Sequence, residues 1–343
     1  MQYEDDLALH AMIRYKVPQA VPVAGRISLR DLATKCAVDE ALLARFVRHA
    51  MTMHVFQEPE KDHVAHTADS KALISAEGAA SMVGTVLEDL RPASLKVLDA
   101  VEKWPSVTEP TEAGFQLAYK TDESFYDWIT RQPDRIERFS NHLQYLARDD
   151  KNATAQVAEA YDWSGVAAHG TMVDIGGGNG QYAIGVAEKH PGISCIIQDK
   201  PGVSAKDSVP SEVSARVTFQ DYDFFTPQPV KDADFYFMRH VFHNWSDAYC
   251  IKILQNLIPA LKAGARVLIC DYFIPETSIV EEVFARRMDM LMLSLFNARE
   301  RTLEDVKALF GKADSRFEFL KIYGTEIHQG TDTVVEFAWD SAA

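Results

Sequence analysis

The chain has 343 residues, 47% of them hydrophobic, which is the composition of a globular protein with room for two domains and a large core. Its formal net charge of −15 argues against a nucleic-acid partner and against an anionic membrane surface, because each of these binds basic faces. No hydrophobic run reaches the length of a transmembrane helix, and residues 1–20 carry scattered charges rather than the pattern of a signal peptide.

The four cysteines lack the Cys-x-x-Cys spacing of metal sites and redox motifs. Three of them, Cys195, Cys250 and Cys270, lie in or beside hydrophobic runs, where a cysteine usually packs as a buried free thiol. Free thiols are typical of a reducing compartment. We therefore expect a cytoplasmic protein with no bound metal.

The N-terminal segment has the pattern of a winged helix. A helix over residues 5–16 ends before prolines, Ser28 has the position of an N-cap, and Asp39 begins a further helix. A small hairpin with a polar turn at 58–62 follows. Because the chain is acidic, we expect this module to make a dimer or lid contact rather than to bind DNA. The side chains expected to face its core are Leu29, Leu32, Ala33, Leu42, Leu43, Phe46, Val47 and Ala50.

Residues 71–150 are predicted to be helical and are rich in aromatic side chains, and they complete a first domain over 1–150. Most of the aromatic residues are expected to pack in a helical core. Some should line an apolar pocket shared with a second domain, since such pockets form at domain interfaces. Phe125, Trp128 and His142 are candidates for that pocket, although a lone histidine on a helix is more often a structural residue.

The stretch from Met172 to Gly180, MVDIGGGNG, is the most informative motif of the chain. A hydrophobic run ends in Asp174, glycines at every second position follow, and a periodic helical segment comes next. Strand, glycine turn and helix open a doubly wound α/β unit. The glycine spacing lacks one residue of the dinucleotide fingerprint, while Asp199 closes the next hydrophobic run, where a carboxylate can bind ribose hydroxyls. A tight turn without a ligand is the alternative interpretation.

Strands and helices alternate over 151–343, which predicts an α/β domain with a Rossmann-like, doubly wound sheet. The first five strands should be parallel. The last two follow each other without a helix, so one of them should run antiparallel at an edge of the sheet. The predicted strands are 171–175, 193–198, 216–220, 233–238, 265–271, 316–323 and 332–339, and the predicted helices are 180–189, 247–261, 281–295 and 302–312.

Three polar residues follow elements at the same edge of this sheet. His243 lies just past the fourth strand, Asp271 ends the fifth, and Glu300 precedes the last helix. Ligands of open α/β sheets bind at the carboxyl ends of the strands. A histidine flanked by two carboxylates can deprotonate a hydroxyl group and is held in one tautomer. Each carboxylate alone is more often a helix cap or ion-pair partner, and we interpret the neighbouring His240 as structural.

Several further motifs accompany the glycine turn: Gln-Asp at 198–199, Asp223-Phe-Phe, His243-Asn-Trp and Asn297-Ala-Arg-Glu-Arg. Together they resemble the fungal relatives of plant small-molecule O-methyltransferases. The likeness covers nearly the whole chain, and its N-terminal part includes Arg48-His-Ala-Met-Thr. It implies S-adenosylmethionine as the cofactor, a small aromatic or polyketide-derived substrate and a homodimer.

The resemblance also implies roles for individual residues. His243 would be the general base, with Asp271 and Glu300 beside it. The cofactor would lie over the glycine turn, its ribose and adenine held by acidic residues and its remaining contacts including a basic one. The residues placed around the cofactor are Asp174, Gly176, Gly178, Asp199, Asp223, Phe224 and Arg239, and those added to the substrate pocket are Met288 and Met292.

Other interpretations stay open. Some members of this family bind the cofactor but act as pericyclases or dehydratases, and Arg286, Arg287 and His142 are candidate donors for that chemistry. A nicotinamide oxidoreductase would need the longer glycine spacing. A winged-helix regulator would need a more basic helix than 39–50. The chain departs from the family at two places. Its N-terminal helix is short, so the geometry of the expected dimer is not determined, and Asn244 stands where many members have aspartate.

Overall fold

The computed structural model describes residues 3–76, 78–106, 108–149, 161–163, 169–201, 209–277, 283–323 and 332–340. The chain forms two compact units: the first contains residues 1–96 and 117–149, and the second contains 97–116 and 150–343. The sequence had placed residues 97–116 in the first domain. They group instead with the second unit, so the division does not follow a single cut at residue 150.

The N-terminal half is mainly helical. Its helices are α1 (Tyr3–Arg14), α2 (Val17–Ala20), α3 (Leu29–Cys36), α4 (Glu40–Thr52), α5 (Ala68–Ser75), α6 (Ala79–Gly84), α7 (Arg91–Ser94), α8 (Val97–Lys103), α9 (Gly114–Tyr119), α10 (Phe125–Ile129) and α11 (Pro133–Asp149), with a π-helix at Thr85–Leu90 between α6 and α7. A small antiparallel sheet contains β1 (Ile27–Ser28), β2 (Gln57–Glu60) and β3 (His63–Ala65), with β3 in the middle.

The two predicted helix starts are capped as the sequence indicates. The Ser28 hydroxyl accepts a hydrogen bond from the Asp31 amide at 3.1 Å, and the Asp39 carboxylate accepts one from the Leu42 amide at 3.0 Å. The hairpin turn is shorter than predicted, because residues 58–60 continue strand β2.

Two residues of α4 differ from the predicted core face. Leu42 is 49% exposed and Phe46 is only half-buried, whereas Leu43, Val47 and Ala50 are buried. The buried positions recur at intervals of four and three residues, which is one stripe of a helix. Leu42 lies one residue off that stripe, so it points about 100° away from the core.

The second unit contains a seven-stranded sheet in which every predicted strand is present. Its strands are β4 (Gly170–Ile175), β5 (Ile193–Asp199), β6 (Val217–Asp221), β7 (Phe235–Arg239), β8 (Arg266–Asp271), β9 (Phe317–Tyr323) and β10 (Thr333–Trp339). The spatial order is β6-β5-β4-β7-β8-β10-β9, and the strands β4 to β8 pair with one another in parallel. The doubly wound sheet is thus confirmed.

The sequence predicted an antiparallel strand at an edge of the sheet, but the antiparallel strand lies inside the sheet. Strand β10 pairs antiparallel with both β8 and β9, and β9 forms the edge. All seven residues of β10 are buried, whereas most of β9 is exposed or half-buried. A near-continuous hydrophobic strand belongs inside a sheet and a strand with outward charges at its edge, so this composition already favoured the observed order.

Helices pack on both faces of this sheet: residues of α12 (Gln181–Lys189) lie in one core cluster, and residues of α13 (Asp247–Leu257) lie in the other. Two further helices follow, α14 (Val283–Phe296) and α15 (Leu303–Ala313), of which α15 also packs in the cluster of α13. Short 3₁₀ turns lie at Phe242–Asn244 and Ile258–Ala260. Val267 and Ile269 of β8 pack in one core cluster, while Leu268 and Cys270 pack in the other. Alternate side chains of a strand point to opposite faces, so one strand serves both cores.

The strand order changes direction at β4, because β5 and β6 lie on one side of it and β7 and β8 on the other. Such a switch point opens a crevice at the carboxyl ends of the strands. Along the described parts of the chain, no helix combines the length and hydrophobicity that crossing a bilayer requires. All four cysteines are free thiols, and the three in hydrophobic runs are buried as predicted.

Candidate active site

The glycines of the turn after β4 are required for different structural reasons. A Cβ at Gly180 would lie 2.2 Å from Cδ1 of Ile197, and one at Gly177 would lie 2.5 Å from a carboxylate oxygen of Asp174. Gly178 has φ +56° and no described atom within 4 Å of its Cβ position. The backbone at Gly178 therefore faces open space, where a ligand can approach it closely.

Asp199 lies against this turn at the end of β5. Its carboxylate accepts hydrogen bonds from the Gly178 amide at 2.9 Å and from the Lys200 amide at 2.7 Å. Burial raises its pKa, and the two backbone donors partly oppose that effect. The carboxylate is thus fixed next to the open face of Gly178, as a ribose-binding residue requires.

Gln198 and Gln228 are a supporting pair that the sequence analysis missed. Both are fully buried, and their amide groups exchange hydrogen bonds of 2.8 and 2.9 Å. Gln198 precedes Asp199, and its carbonyl accepts the Gly176 amide at 2.8 Å. The pair therefore fixes the end of β5 against the turn.

Asp174 is a buried carboxylate under the glycine turn, only 2% exposed. Burial raises its pKa to about 7, the negative charge of Asp199 adds to the rise, and the positive charge of Arg239 opposes it. A carboxylate whose ionised form is this costly gains from a nearby cation. The positive charge of Arg239 provides part of that stabilisation.

Asp223 and Phe224 lie on the loop after β6. Asp223 is exposed, and one of its carboxylate oxygens accepts the Phe225 amide at 2.9 Å. Phe224 is half-buried, with its ring centroid 4.9 Å from that of Phe225 and 5.8 Å from that of Trp245. The loop presents an apolar surface beside an available carboxylate, which suits an aromatic base with polar edges.

The side chain of Arg239, at the end of β7, contacts other side chains of the protein. Its Nε donates to Asp332 at 2.6 Å, and its guanidinium lies 4.0 Å above the ring of Tyr182. His240 shares the same carboxylate, with its Nε2 2.8 Å from Asp332. Asp332 therefore orients both residues, and no local pattern in the sequence had indicated it.

His243 and Glu300 form the buried centre of the site. The Nδ1 of His243 lies 2.9 Å from Oε1 of Glu300, and the two residues are 6% and 1% exposed. Because a carboxylate accepts this bond, Nδ1 carries the proton and the neutral ring keeps Nε2 as an acceptor. The Glu300 amide in turn donates to Asp289 at 3.0 Å.

The charges around His243 shift the ionisation equilibria of His243 and Asp271. Burial works to lower the pKa of His243, but the hydrogen bond to Glu300 and the negative charges of Glu300 and Asp271 outweigh it, so this pKa is raised. Burial raises the pKa of Asp271 to about 7 despite the opposing charge of His243. Oδ1 of Asp271 and Oε2 of Glu300 are buried without hydrogen-bond partners among the described residues. The site can therefore take a proton on His243 and hold it there.

The predicted substrate residues are divided between the two units. In the first unit, Phe125 is buried, Trp128 packs on Tyr119 with ring centroids 4.5 Å apart, and His142 is 7% exposed. Burial lowers the pKa of His142 to about 4, and its Nδ1 has no hydrogen-bond partner among the described residues.

The other two predicted substrate residues belong to the second unit. Met288 is half-buried and Met292 is 4% exposed, and they lie one turn apart on α14. Side chains at this spacing share one helix face. The role of both methionines in a pocket stays a prediction.

Residues 107–316 match the family model described as the O-methyltransferase domain, which is more than half of the chain. The protein belongs to the O-methyltransferase family. It is 36% identical over 327 residues to the grayanic acid biosynthesis cluster O-methyltransferase of Cladonia grayi, covering 93% of this chain and 68% of that protein. It is also 36% identical over 348 residues to the chlorophenol O-methyltransferase of Trichoderma longibrachiatum, covering 98% of this chain and 74% of that protein.

Solved structures share the fold over nearly the full chain. The mitomycin 7-O-methyltransferase superposes with a TM-score of 0.79 at 25% identity and covers 98% of this chain and 94% of its own. A structure described as a pericyclic reaction enzyme superposes with a TM-score of 0.78 at 23% identity. The superposition covers 98% of this chain and 86% of that chain. The second likeness concerns the fold alone.

S-adenosylmethionine is the cofactor of this O-methyltransferase, and the residues at the glycine turn fit it. The open face of Gly178 leaves room for a ligand, and the fixed carboxylate of Asp199 lies beside it. The buried Asp174 suits the positive charge of the cofactor. This cofactor has no pyrophosphate, so the shorter glycine spacing suffices.

Proposed function

We propose that this O-methyltransferase methylates a hydroxyl group of a small aromatic or polyketide-derived metabolite, with His243 as the general base. The observation that carries the proposal is the buried hydrogen bond between Nδ1 of His243 and Glu300, which leaves Nε2 available to accept a proton. The names of the two curated relatives, one from a biosynthetic cluster and one acting on chlorophenol, favour a phenolic acceptor.

In the proposed reaction, Nε2 of His243 removes the acceptor's hydroxyl proton as the oxygen attacks. When bound, S-adenosylmethionine would supply the methyl group from its sulfonium and would leave as neutral S-adenosylhomocysteine. The imidazolium that forms is stabilised by Glu300 through Nδ1 and by the charge of Asp271. Deprotonation and alignment of the acceptor are then the protein's main contributions.

The roles of the cofactor residues are part of this proposal. We assign the glycine turn to the backbone approach, Asp199 to the ribose, and Asp223 with Phe224 to the adenine. We assign Arg239, whose Nε is held by Asp332, to the basic cofactor contact. The hydrogen bonds and ring contacts of these side chains support the assignment.

A second candidate function is a pericyclase or dehydratase that binds the cofactor without methyl transfer. The observation that favours it is the buried Nδ1 of His142, which has no hydrogen-bond partner among the described residues. Because an unpaired buried polar atom costs about 1–3 kcal/mol, such an atom suggests a ligand contact. Arg286 and Arg287 are further candidate donors.

His243→Ala tests the proposal with labelled S-adenosylmethionine and a panel of phenols that includes a chlorophenol. Methyl transfer should fall by about 10²–10⁴-fold, the usual contribution of a general base, while cofactor binding measured by calorimetry stays within about twofold. The wild-type rate should rise with pH above the ordinary histidine range, because only the neutral ring accepts a proton and the pKa of His243 is raised.

Three outcomes would count against this assignment. A His243→Ala variant with the wild-type rate would exclude His243 as the base. A product without an added methyl group, formed while the cofactor is recovered unchanged, would establish the pericyclase or dehydratase instead. Binding of NADH with no binding of S-adenosylmethionine would reopen the oxidoreductase interpretation.

We further propose that the first unit makes a homodimer contact and a substrate lid, as the winged-helix pattern predicted. Leu7, Leu95, Leu143 and Leu146 support the dimer, because these large hydrophobic side chains are 48–73% exposed. Light scattering at micromolar concentration should give about twice the chain mass of 38.4 kDa. A monomer across that concentration range would exclude the dimer.

A further inference from the structure

We infer that Arg301 is a positioning residue for the general base: its buried guanidinium fixes both ends of the turn that carries His243. The inference rests on the proposed role of His243. Arg301 is 3% exposed and its guanidinium donates to the two carbonyls of that turn and to Asp247, so we place its action on the turn.

One guanidinium holds the two flanks of the turn. Nη1 of Arg301 donates to the Phe242 carbonyl and Nη2 donates to the Trp245 carbonyl, both at 2.7 Å. These carbonyls lie immediately before His243 and one residue after Asn244. A shift of the turn in either direction would stretch at least one of the two bonds.

The charge of this guanidinium is compensated on its other side. Arg301 is 3% exposed, and its Nε and Nη2 donate to one oxygen of Asp247 at 3.1 and 2.9 Å. Asp247 begins α13, the helix that follows the turn. A buried cation is tolerated because every side of it is hydrogen-bonded, and a guanidinium can do this with its rigid fork of donors.

The backbone of Arg301 joins the turn to the other two catalytic candidates. Residue 301 forms a parallel bridge with Phe273, and its carbonyl accepts the Ile274 amide at 3.0 Å. Phe273 follows Asp271 closely in the chain, and Glu300 is the residue before Arg301. Arg301 therefore connects the loop of Glu300, the segment after β8 and the turn of His243 through its own hydrogen bonds.

Arg299 provides the matched control. It lies two residues earlier in the same loop and also contacts Asp247, with its Nη2 3.1 Å from Oδ2. Its other bonds go to Asp305, on α15, and none of its hydrogen bonds to the described residues involves a carbonyl of the turn. It thus shares the ion pair of Arg301 but not the two bonds that position the base.

The test compares Arg301→Lys with Arg299→Lys in the full-length protein. A lysine keeps the charge but cannot hold two carbonyls and a carboxylate at once. With labelled S-adenosylmethionine and a chlorophenol, kcat of Arg301→Lys should fall by about 10–100-fold, since a displaced catalytic group costs on this order, with the cofactor KM changed less than about twofold. Arg299→Lys should stay within about twofold of wild type.

Two further measurements separate positioning from general damage. In the His243→Ala background, Arg301→Lys should cause no additional loss, because a residue that acts through His243 has nothing left to position. In protein with ¹³C-labelled histidine, the NMR titration of His243 should move to lower pH in Arg301→Lys and not in Arg299→Lys. Loosening the Glu300 bond removes an effect that raises the pKa of His243 and leaves burial, which lowers it.

Equal effects of the two lysine variants, or the same fold-loss with and without His243, would overturn the inference. If Arg301→Lys does not fold, Arg301→Gln, which keeps a donor for one carbonyl, is compared in the same assays and decides between the same outcomes. If His243→Ala retains the wild-type rate, the general-base proposal fails on its own. The NMR comparison then still decides whether Arg301 positions the ring.

Discussion

At the scale of single residues, His240 and His243 show how neighbouring carboxylates separate two identical side chains. Their ring centroids are only 5.0 Å apart. Burial and the charge of Arg239 lower the pKa of His240 to about 4, although the charge and the hydrogen bond of Asp332 oppose them. For His243, Glu300 and Asp271 overcome burial and raise the pKa. The surrounding charges, more than the residue type, make His243 the better proton acceptor.

Asp199→Ala should weaken S-adenosylmethionine binding by about 1–3 kcal/mol, the usual loss when a charged hydrogen-bond partner is removed from a buried site. The physical reason is that its carboxylate, fixed by the Gly178 and Lys200 amides, can accept both ribose hydroxyls. Calorimetry measures the change. Asp221→Ala is the control, since this exposed residue ends the neighbouring strand in register with Asp199. Equal losses from both variants would contradict a specific ribose contact.

At the scale of elements, the turn between β4 and α12 is specified by the space around each glycine as well as by its conformation. Gly180 and Gly264 have the same φ of +75°. Only Gly180 is crowded, because a Cβ there would meet the side chain of Ile197, whereas nothing lies within 4 Å of the Cβ position at Gly264. Comparing alanine substitutions at the two positions therefore separates the cost of the backbone conformation from the cost of the steric clash.

Gly264→Ala should lower the free energy of unfolding by about 1–2 kcal/mol, the cost of the left-handed conformation for a residue with a Cβ. Gly180→Ala should lose a further amount of about 1–3 kcal/mol, because Ile197 is fully buried and must move. Urea denaturation of both variants measures the difference. If the two variants lose the same free energy, the contact with Ile197 does not define the turn.

At the scale of the whole molecule, the fold buries two carboxylates in the region that we propose to bind the cofactor and the acceptor. Asp174 and Asp271 are 2% and 5% exposed, and burial is the largest cause that raises the pKa of each to about 7. Ionising either carboxylate therefore costs stability, and a cost of this kind is common at functional sites.

The pH dependence of stability tests this cost. Asp174 has a folded-state pKa of about 7, above its usual value of 3.8, so its contribution to stability is complete below that usual value and is lost as pH rises to about 7. Asn has no such loss. The free energy of unfolding of Asp174→Asn relative to wild type should therefore increase between pH 5 and 7, by up to about 1.4 kcal/mol per pH unit, and then level off. Urea titrations of the cofactor-free protein measure it, and a pH-independent difference would contradict the prediction.

The sequence by itself determined the elements and the family. Predicted segments of 5–8 residues coincided with all seven strands of the large sheet, Ser28 and Asp39 marked helix starts, and the glycine turn with Asp199 indicated the proposed cofactor site. These signals are local, because strand period, capping and backbone freedom depend on residues close in the chain. The exposed Leu42 was the limit of that reasoning, since one position decides which stripe of a helix is buried.

Only the tertiary structure decided which partners meet. His243 pairs with Glu300 across 57 residues, and Arg239 pairs with Asp332 across 93. Strand β10 lies between β8 and β9, and residues 97–116 group with the second unit. No local pattern encodes such choices, because they follow from how buried charges and hydrophobic strands are satisfied together once the chain is compact. Arg301 is the clearest case: as sequence it is one more charge before a helix, and in the fold it holds both ends of the turn that carries His243.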